Sequence, residues 1–207
     1  SKGWLLAFHP DLIYQTSLGE HIKDYSFFFY NPEEALHLSQ REKAKAVECI
    51  CNIEEELRHA IDCHSQILIS RYIELLLDHC NRFYERQFIT RCEANKKIMK
   101  KTDVLLKDYI LSGKLKYNTS PSLGYCAKIL QLSSHYFNDL LKFESGKNID
   151  EYFESKRLEM AKSMLLDSNN TVSVVTEKLG YPNIRYFSRL FKRITGVAPN
   201  NYRLSQN

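Results

Sequence analysis

SLGYCAKILQLSSHYFNDLLKFESG (residues 122–146) and TVSVVTEKLGYPNIRYFSRLFKRITG (residues 171–196) are two versions of one unit, and their repetition decides the fold. Each opens on a hydroxyl residue, Ser122 or Thr171, whose side-chain oxygen suits the free amides of a first helical turn. A short helix follows, then a tight turn: Gln131-Leu132 in the first unit, Gly180-Tyr181-Pro182 in the second. A second cap, Ser133 or Asn183, starts another helix. Each of these helices stops at a glycine, Gly146 or Gly196, as a left-handed C-terminal position prefers.

The second helices share a Tyr-Phe pair, Tyr136-Phe137 and Tyr186-Phe187. In the later helix Phe187, Leu190, Phe191 and Ile194 fall at i, i+3, i+4 and i+7, which predicts one buried stripe. The opposite face carries Arg185, Ser188, Arg189, Lys192 and Arg193. The earlier helix is expected to bury Phe137, Leu140 and Leu141 and to present His135, Asn138, Asp139 and Lys142. Two short helices joined by a three- or four-residue turn, the second polar outside, describe a helix-turn-helix. A generic helical hairpin also has a polar outer face; matched caps, stops and aromatic pairs in two copies favour the more specific reading.

Between the units, Asn148 with Glu151 three residues on has the form of a capping box, so a helix should run from there to about Asp167. Twenty residues at about 1.5 Å each give roughly 30 Å, close to the roughly 34 Å turn of B-DNA. A rigid helix of that length could hold two polar helices in successive major grooves on one side of a duplex. After Gly196, Pro199 is expected to begin a short closing helix through Tyr202 and Arg203.

The whole chain supports this. Of its 207 residues 43% are apolar and 26% charged, which excludes wholesale disorder. Only 7 Gly and 5 Pro disfavour a loop-rich fold and any glycine-rich phosphate cradle. The densest apolar run, Phe27-Phe28-Phe29-Tyr30, is far short of the roughly 20 residues that span a bilayer. No signal-peptide pattern opens the chain, so no membrane contact and a cytoplasmic setting are expected. The net charge of +4 is unevenly placed: −1 over residues 1–102, zero over 103–170 and +5 over 171–207, where six Lys and Arg face the single acid Glu177. A terminal segment that basic suggests a polyanion partner, since cations that neutralise phosphates release condensed counterions.

With these residues in view, the chain resembles the AraC-type (AraC/XylS family) transcription regulators. The segment from Gly180 through Tyr186-Phe187-Ser188-Arg189-Leu190-Phe191-Lys192, Gly196 and Pro199 to Tyr202-Arg203 carries the match most specifically. Tyr152, Arg157, Ala161 and Leu165-Leu166 fit the family's central helix, and Ala127, Ser133 and Gly146 its first unit. The resemblance implies a mainly α fold with two helix-turn-helix units joined by a long central helix over residues 103–207. It implies a sequence-specific regulator that binds double-stranded DNA in the bacterial cytoplasm, at the nucleoid, with RNA polymerase as a further partner. By position, His135, Asn138 and Asp139 would read bases in the first unit, and Ile184, Arg185, Ser188 and Arg189 in the second. Arg pairs bidentately with guanine, Asn with adenine, Asp accepts from cytosine N4, and Ile184 would touch a thymine methyl. Ser133, Lys142, Asn183, Lys192 and Arg193 would meet phosphates, setting register without reading sequence. Tyr136 and Tyr186 are expected to be partly buried. Departures from the family pattern are Thr176 for a packing alanine, Gln131 for a turn glycine, and Asp139 for a base. A non-glycine residue at positive φ costs on the order of 1 kcal/mol.

The N-terminal half reads as an antiparallel helical region, residues 39–102, preceded by a small β or irregular remnant, residues 1–38. Ser39 with Glu42 is a capping box, and the helix through about Arg58 carries Val47, Ile50, Cys51 and Leu57. A second helix, about Ser65 to Gln87, has Leu68, Tyr72, Leu75, Leu76 and Phe83 on one stripe, with Ile69, Ile73, Leu77 and Cys80 off it. That is more apolar surface than one packed face needs, so Leu68, Tyr72, Leu75 and Leu76 are candidates for a homodimer contact. The family resemblance points the same way. The aromatic stretches Gly3-Trp4-Leu5-Leu6-Ala7-Phe8-His9-Pro10 and Tyr25-Ser26-Phe27-Phe28-Phe29-Tyr30 resemble the tail of the family's cupin-like sensor barrel. The chain opens on Ser1 rather than Met, as expected of a piece of a longer protein whose small-molecule effector is unknown.

Other chemistries are weaker. Cys49-x-Cys51, Cys63-His64 and His79-Cys80, with His59, suggest metal, but zinc wants four ligands converging from short-spaced pairs and no C-x-x-C occurs. Reduced, mostly buried thiols are expected instead, with Cys126 a weak redox-sensor candidate. A thiolate–imidazole nucleophile would lack an orienting third group, so neither enzyme activity nor a cofactor is expected. The rival to DNA binding is a helical protein-interaction or dimerisation module, whose binding would be insensitive to salt.

Overall fold

The computed structural model describes residues 3–117 and 120–206. Among them every regular element is helical and no strand occurs. The mainly α reading therefore holds, while the β part of the expected remnant is replaced by four 3₁₀ turns and a short helix. The chain divides into two compact units, Ser1–Cys92 and Glu93–Asn207.

The first unit contains α1 (Ser17–His21), α2 (Gln40–Arg58) and α3 (Ser65–Thr90). The Ser39–Glu42 capping box forms, with the Ser39 amide donating to Glu42 Oε2 at 2.7 Å. Arg86 near the end of α3 pairs with Glu42 at the start of α2 at 2.9 Å, and Ser65 Oγ donates to Glu56 at 2.9 Å, so the two helices run antiparallel. Ile69, Ile73 and Leu77 of α3 meet Ile53 of α2 in a small core that also takes Ile13, Leu18 and Tyr25. The N-terminal segment is thus bound to the helix pair and is not a separate body. Buried Gln87 ties it down, accepting from the His37 amide at 2.8 Å and donating to the Ala35 carbonyl at 3.2 Å. Tyr25 donates to Asp78 at 2.7 Å.

Two stripes differ from expectation. On α3 three of the residues predicted to lie off the stripe, Ile69, Ile73 and Leu77, are buried and Cys80 half-buried, whereas of the predicted stripe only Phe83 is buried, Leu68 and Leu75 being exposed and Tyr72 and Leu76 half-buried. The N-terminal segment packs on the first set, which is why that face wins. On α2 Cys49 and Ile53 are buried, Val47 and Ile50 only half-buried, and Cys51 and Leu57 exposed.

The second unit holds α4 (Cys92–Leu111), α5 (Leu123–Leu130), α6 (Ser134–Ser145), α7 (Ile149–Leu166), α8 (Val172–Lys178), α9 (Ile184–Thr195) and α10 (Pro199–Gln206). Phe137, Phe153, Phe187 and Phe191 form the centre of its core with Leu141, Ala161, Leu165 and Leu179. Leu106, Tyr109 and Ile110 of α4 belong to the same core. The compact unit therefore takes in α4 from Glu93 onward. The central helix α7 begins at the predicted capping box, with Glu151 N donating to Asn148 Oδ1 at 2.9 Å. Its 18 residues rise about 27 Å. Arg203 of α10 closes its far end, donating to the carbonyls of Leu165, at 2.8 Å, and Asn170.

Candidate nucleic-acid interface

The two repeated segments fold as two helix-turn-helix units with matching turns. Ser122, Thr171, Ser133 and Asn183 all cap as predicted, accepting from Tyr125, Val174, Tyr136 and Tyr186 amides at 3.2, 3.2, 3.1 and 2.8 Å. In the first turn Gln131 N donates to Lys128 O at 3.2 Å and Leu132 N to Ala127 O at 2.9 Å. In the second, Gly180 N donates to Glu177 O and Tyr181 N to Thr176 O, both at 3.0 Å. Gln131 thus stands in the place of Gly180 and Leu132 in that of Tyr181. Both turn residues are left-handed, at φ 59° and 67°. Gly180 has a second constraint, since a Cβ there would lie 2.4 Å from Leu115 Cβ. Thr176 is buried and disposes of its hydroxyl within α8, on the Val172 carbonyl at 2.7 Å.

The second turn is also clamped from α7. Arg157, its side chain only 12% exposed, donates through Nε and a terminal nitrogen to Leu179 O at 3.1 and 2.8 Å. It pairs with Glu154 at 2.9 Å and lies 4.0 Å from the centre of the Tyr181 ring. Tyr181 OH donates to Glu154 at 2.8 Å, which closes the ring of contacts. Burial and the Glu154 carboxylate push the Tyr181 phenol up, so it remains a donor at any physiological pH. Periodicity assigned no role to these three residues, because the clamp joins positions 22 to 27 residues apart.

On α9 Phe187, Leu190 and Phe191 face the core, while Arg185, Arg189, Lys192 and Arg193 are exposed and Ser188 half-exposed. None of these four cations makes an ion pair among the described residues. Ile184 is exposed, consistent with a surface contact, but Ile194, predicted to be buried, is 51% exposed because it lies in the last turn beyond the core's edge. On α6 Phe137, Leu140 and Leu141 are buried, His135 and Lys142 exposed, and Asn138 and Asp139 half-buried, with Asn138 Nδ2 donating to Asp139 at 3.3 Å. The first exposed face is therefore mixed in charge, the second wholly basic. Ser133 and Asn183 are engaged as caps, at the starts of the two exposed faces. Tyr136 is buried, but Tyr186 is exposed, contrary to expectation.

A family model described as a helix-turn-helix domain matches residues 126–205. The match is to a domain of the AraC type. The chain is 39% identical over 77 residues to the HTH-type transcriptional regulator YobQ of Bacillus subtilis (strain 168), covering 37% of this chain and 32% of that protein. It is 36% identical over 87 residues to the HTH-type transcriptional regulator YtdP of the same organism, covering 42% and 11%. The chain thus spans a third or less of the length of these relatives. Among solved structures, the C-terminal domain of AraT, a response regulator from Geobacillus stearothermophilus, is 27% identical with a TM-score of 0.42, over 52% of this chain and 84% of that one.

The thiols contribute no evident chemistry. Burial pushes Cys126 and Cys80 up to about 11, so neither is a thiolate at neutral pH. Cys49 is buried, but Cys51, Cys63 and Cys92 are exposed, against the expectation of mostly buried cysteines. Among the described residues no three His, Cys, Asp or Glu side chains gather as metal ligands, and no helix is long and apolar enough to cross a membrane.

Proposed function

We propose that this chain is a sequence-specific regulator of transcription that reads two successive major grooves of double-stranded DNA with α6 and α9. The observation that carries this is the pair of matched turns, each presenting a solvent-facing polar helix, on either side of the 18-residue helix α7. In this reading His135, Asn138, Asp139, Ile184, Arg185, Ser188 and Arg189 meet base edges, and Ser133, Lys142, Asn183, Lys192 and Arg193 meet phosphates. The second unit supplies most of the affinity, because its outer face is wholly basic. The chain acts by binding, in the cytoplasm, and not as an enzyme. RNA polymerase is the partner through which a bound regulator would act.

A homodimer contact through α3 belongs to the same proposal. Of its candidate residues Leu68 and Leu75 are exposed and Tyr72 and Leu76 half-buried, and exposed Ile67 and Ile89 extend that apolar surface on a helix whose inner face is already occupied. In this reading residues 1–38 are a remnant of a cupin-like sensor domain, of which Ile13, Leu18 and Tyr25 pack on α2 and α3. The test of DNA binding is titration of a labelled duplex at several salt concentrations with the wild type and an Arg185→Glu, Arg189→Glu variant. Affinity that falls steeply with salt and is abolished by the variant supports the reading; salt-insensitive binding unaffected by charge reversal favours a protein-interaction module.

A further inference from the structure

The Tyr-Phe pair common to both units meets two different fates. Tyr136 is 4% exposed and Tyr186 is 45% exposed. The cause is the residue after the left-handed turn position. In the first unit it is Leu132; in the second it is Tyr181, whose buried ring lies 5.0 Å from Phe187 and 6.3 Å from Tyr186. Arg157 and Glu154 hold that ring in place. In the second unit the Tyr181 ring thus lies in the interior beside Phe187, and Tyr186 lies outside it.

Outside, Tyr186 shares a recess of about 340 Å³ with Arg189, Leu190 and Arg193. These four lie at i, i+3, i+4 and i+7 on α9, on the flank of its basic face. The lining offers a phenolic O–H, two guanidinium groups and one aliphatic wall, and no carboxylate. A neutral donor beside two cations suits an anion with several acceptor oxygens and an apolar side, which is the chemistry of a phosphodiester and its sugar.

We infer that Tyr186 and Arg193 form a backbone phosphate seat at the edge of the second reading helix, with no counterpart in the first. This rests on the DNA-binding reading above. The seat fixes the depth and rotation of α9 in its groove, leaving Arg189 at the rim to turn towards a base edge. The first reading helix, whose tyrosine is buried, lacks that anchor.

The test uses the full chain and a labelled mixed-sequence duplex, since a phosphate contact acts whatever the sequence. Tyr186→Phe removes one O–H from an exposed ring and should leave the fold intact. Its affinity is expected to fall roughly five- to tenfold on every duplex, with the salt slope unchanged because no charge is lost. Arg193→Ala should lower affinity uniformly and reduce the salt slope by about one. Tyr186→Phe binding like the wild type would overturn the seat, as would a changed base preference in that variant. A wild type that binds no duplex at low salt would overturn the DNA-binding reading and the seat with it; wild-type binding with an inert Tyr186→Phe overturns the seat alone.

Discussion

Gln131 holds a left-handed backbone, φ 59° and ψ 39°, where Gly180 in the second unit, at φ 67°, has no side chain to strain it. Gln131→Gly is expected to stabilise the chain by up to about 1 kcal/mol, read as a raised Tm, and a lowered Tm would contradict the turn assignment. The polar faces of α6 and α9 carry the corresponding binding predictions. Arg189→Ala should weaken specific binding by about 1–3 kcal/mol and relax preference at one base position, whereas Lys192→Ala should weaken all sequences alike. Asp139→Ala should change the preferred sequence more than the affinity; an unchanged preference would remove the first unit's claim to read bases. These side chains were legible because a polar face on an amphipathic helix is a local pattern. Tyr186 was not, because its exposure is decided by the size of Tyr181, which no spacing within α9 encodes.

At the scale of elements, caps and stops were read correctly for the same local reason: each cap bonds the amide three residues on, and Gly146 and Gly196 end α6 and α9 at φ 68° and 82°. The clamp on the second turn is different in kind. Arg157 joins α7 to the end of α8 across 22 residues, and its removal leaves the Leu179 carbonyl and the Glu154 carboxylate short of a partner. Arg157→Met is expected to destabilise the chain by about 2–4 kcal/mol in urea denaturation, and Tyr181→Phe by about 1 kcal/mol. A neutral Arg157→Met would mean that packing alone orients the turn. The faces of α3 were misassigned because that helix is apolar on two sides, and periodicity alone could not say which side the N-terminal segment covers.

For the whole molecule, the second compact unit begins at Glu93, and Leu106, Tyr109 and Ile110 of α4 enter its core. A fragment of residues 93–207 should fold cooperatively and bind DNA, while one starting at 103 should melt at lower temperature. Leu75→Glu, at an exposed α3 position, should convert a dimer to monomers in sedimentation without loss of helicity; a full-length wild type that sediments as a monomer would remove α3 as the self-association face. The central claim, two reading helices one groove apart, is tested most directly by selecting binders from a random duplex library at two salt concentrations. Two enriched boxes about one helical turn apart, with yield falling as salt rises, are the predicted result. No enrichment from a folded sample would contradict it.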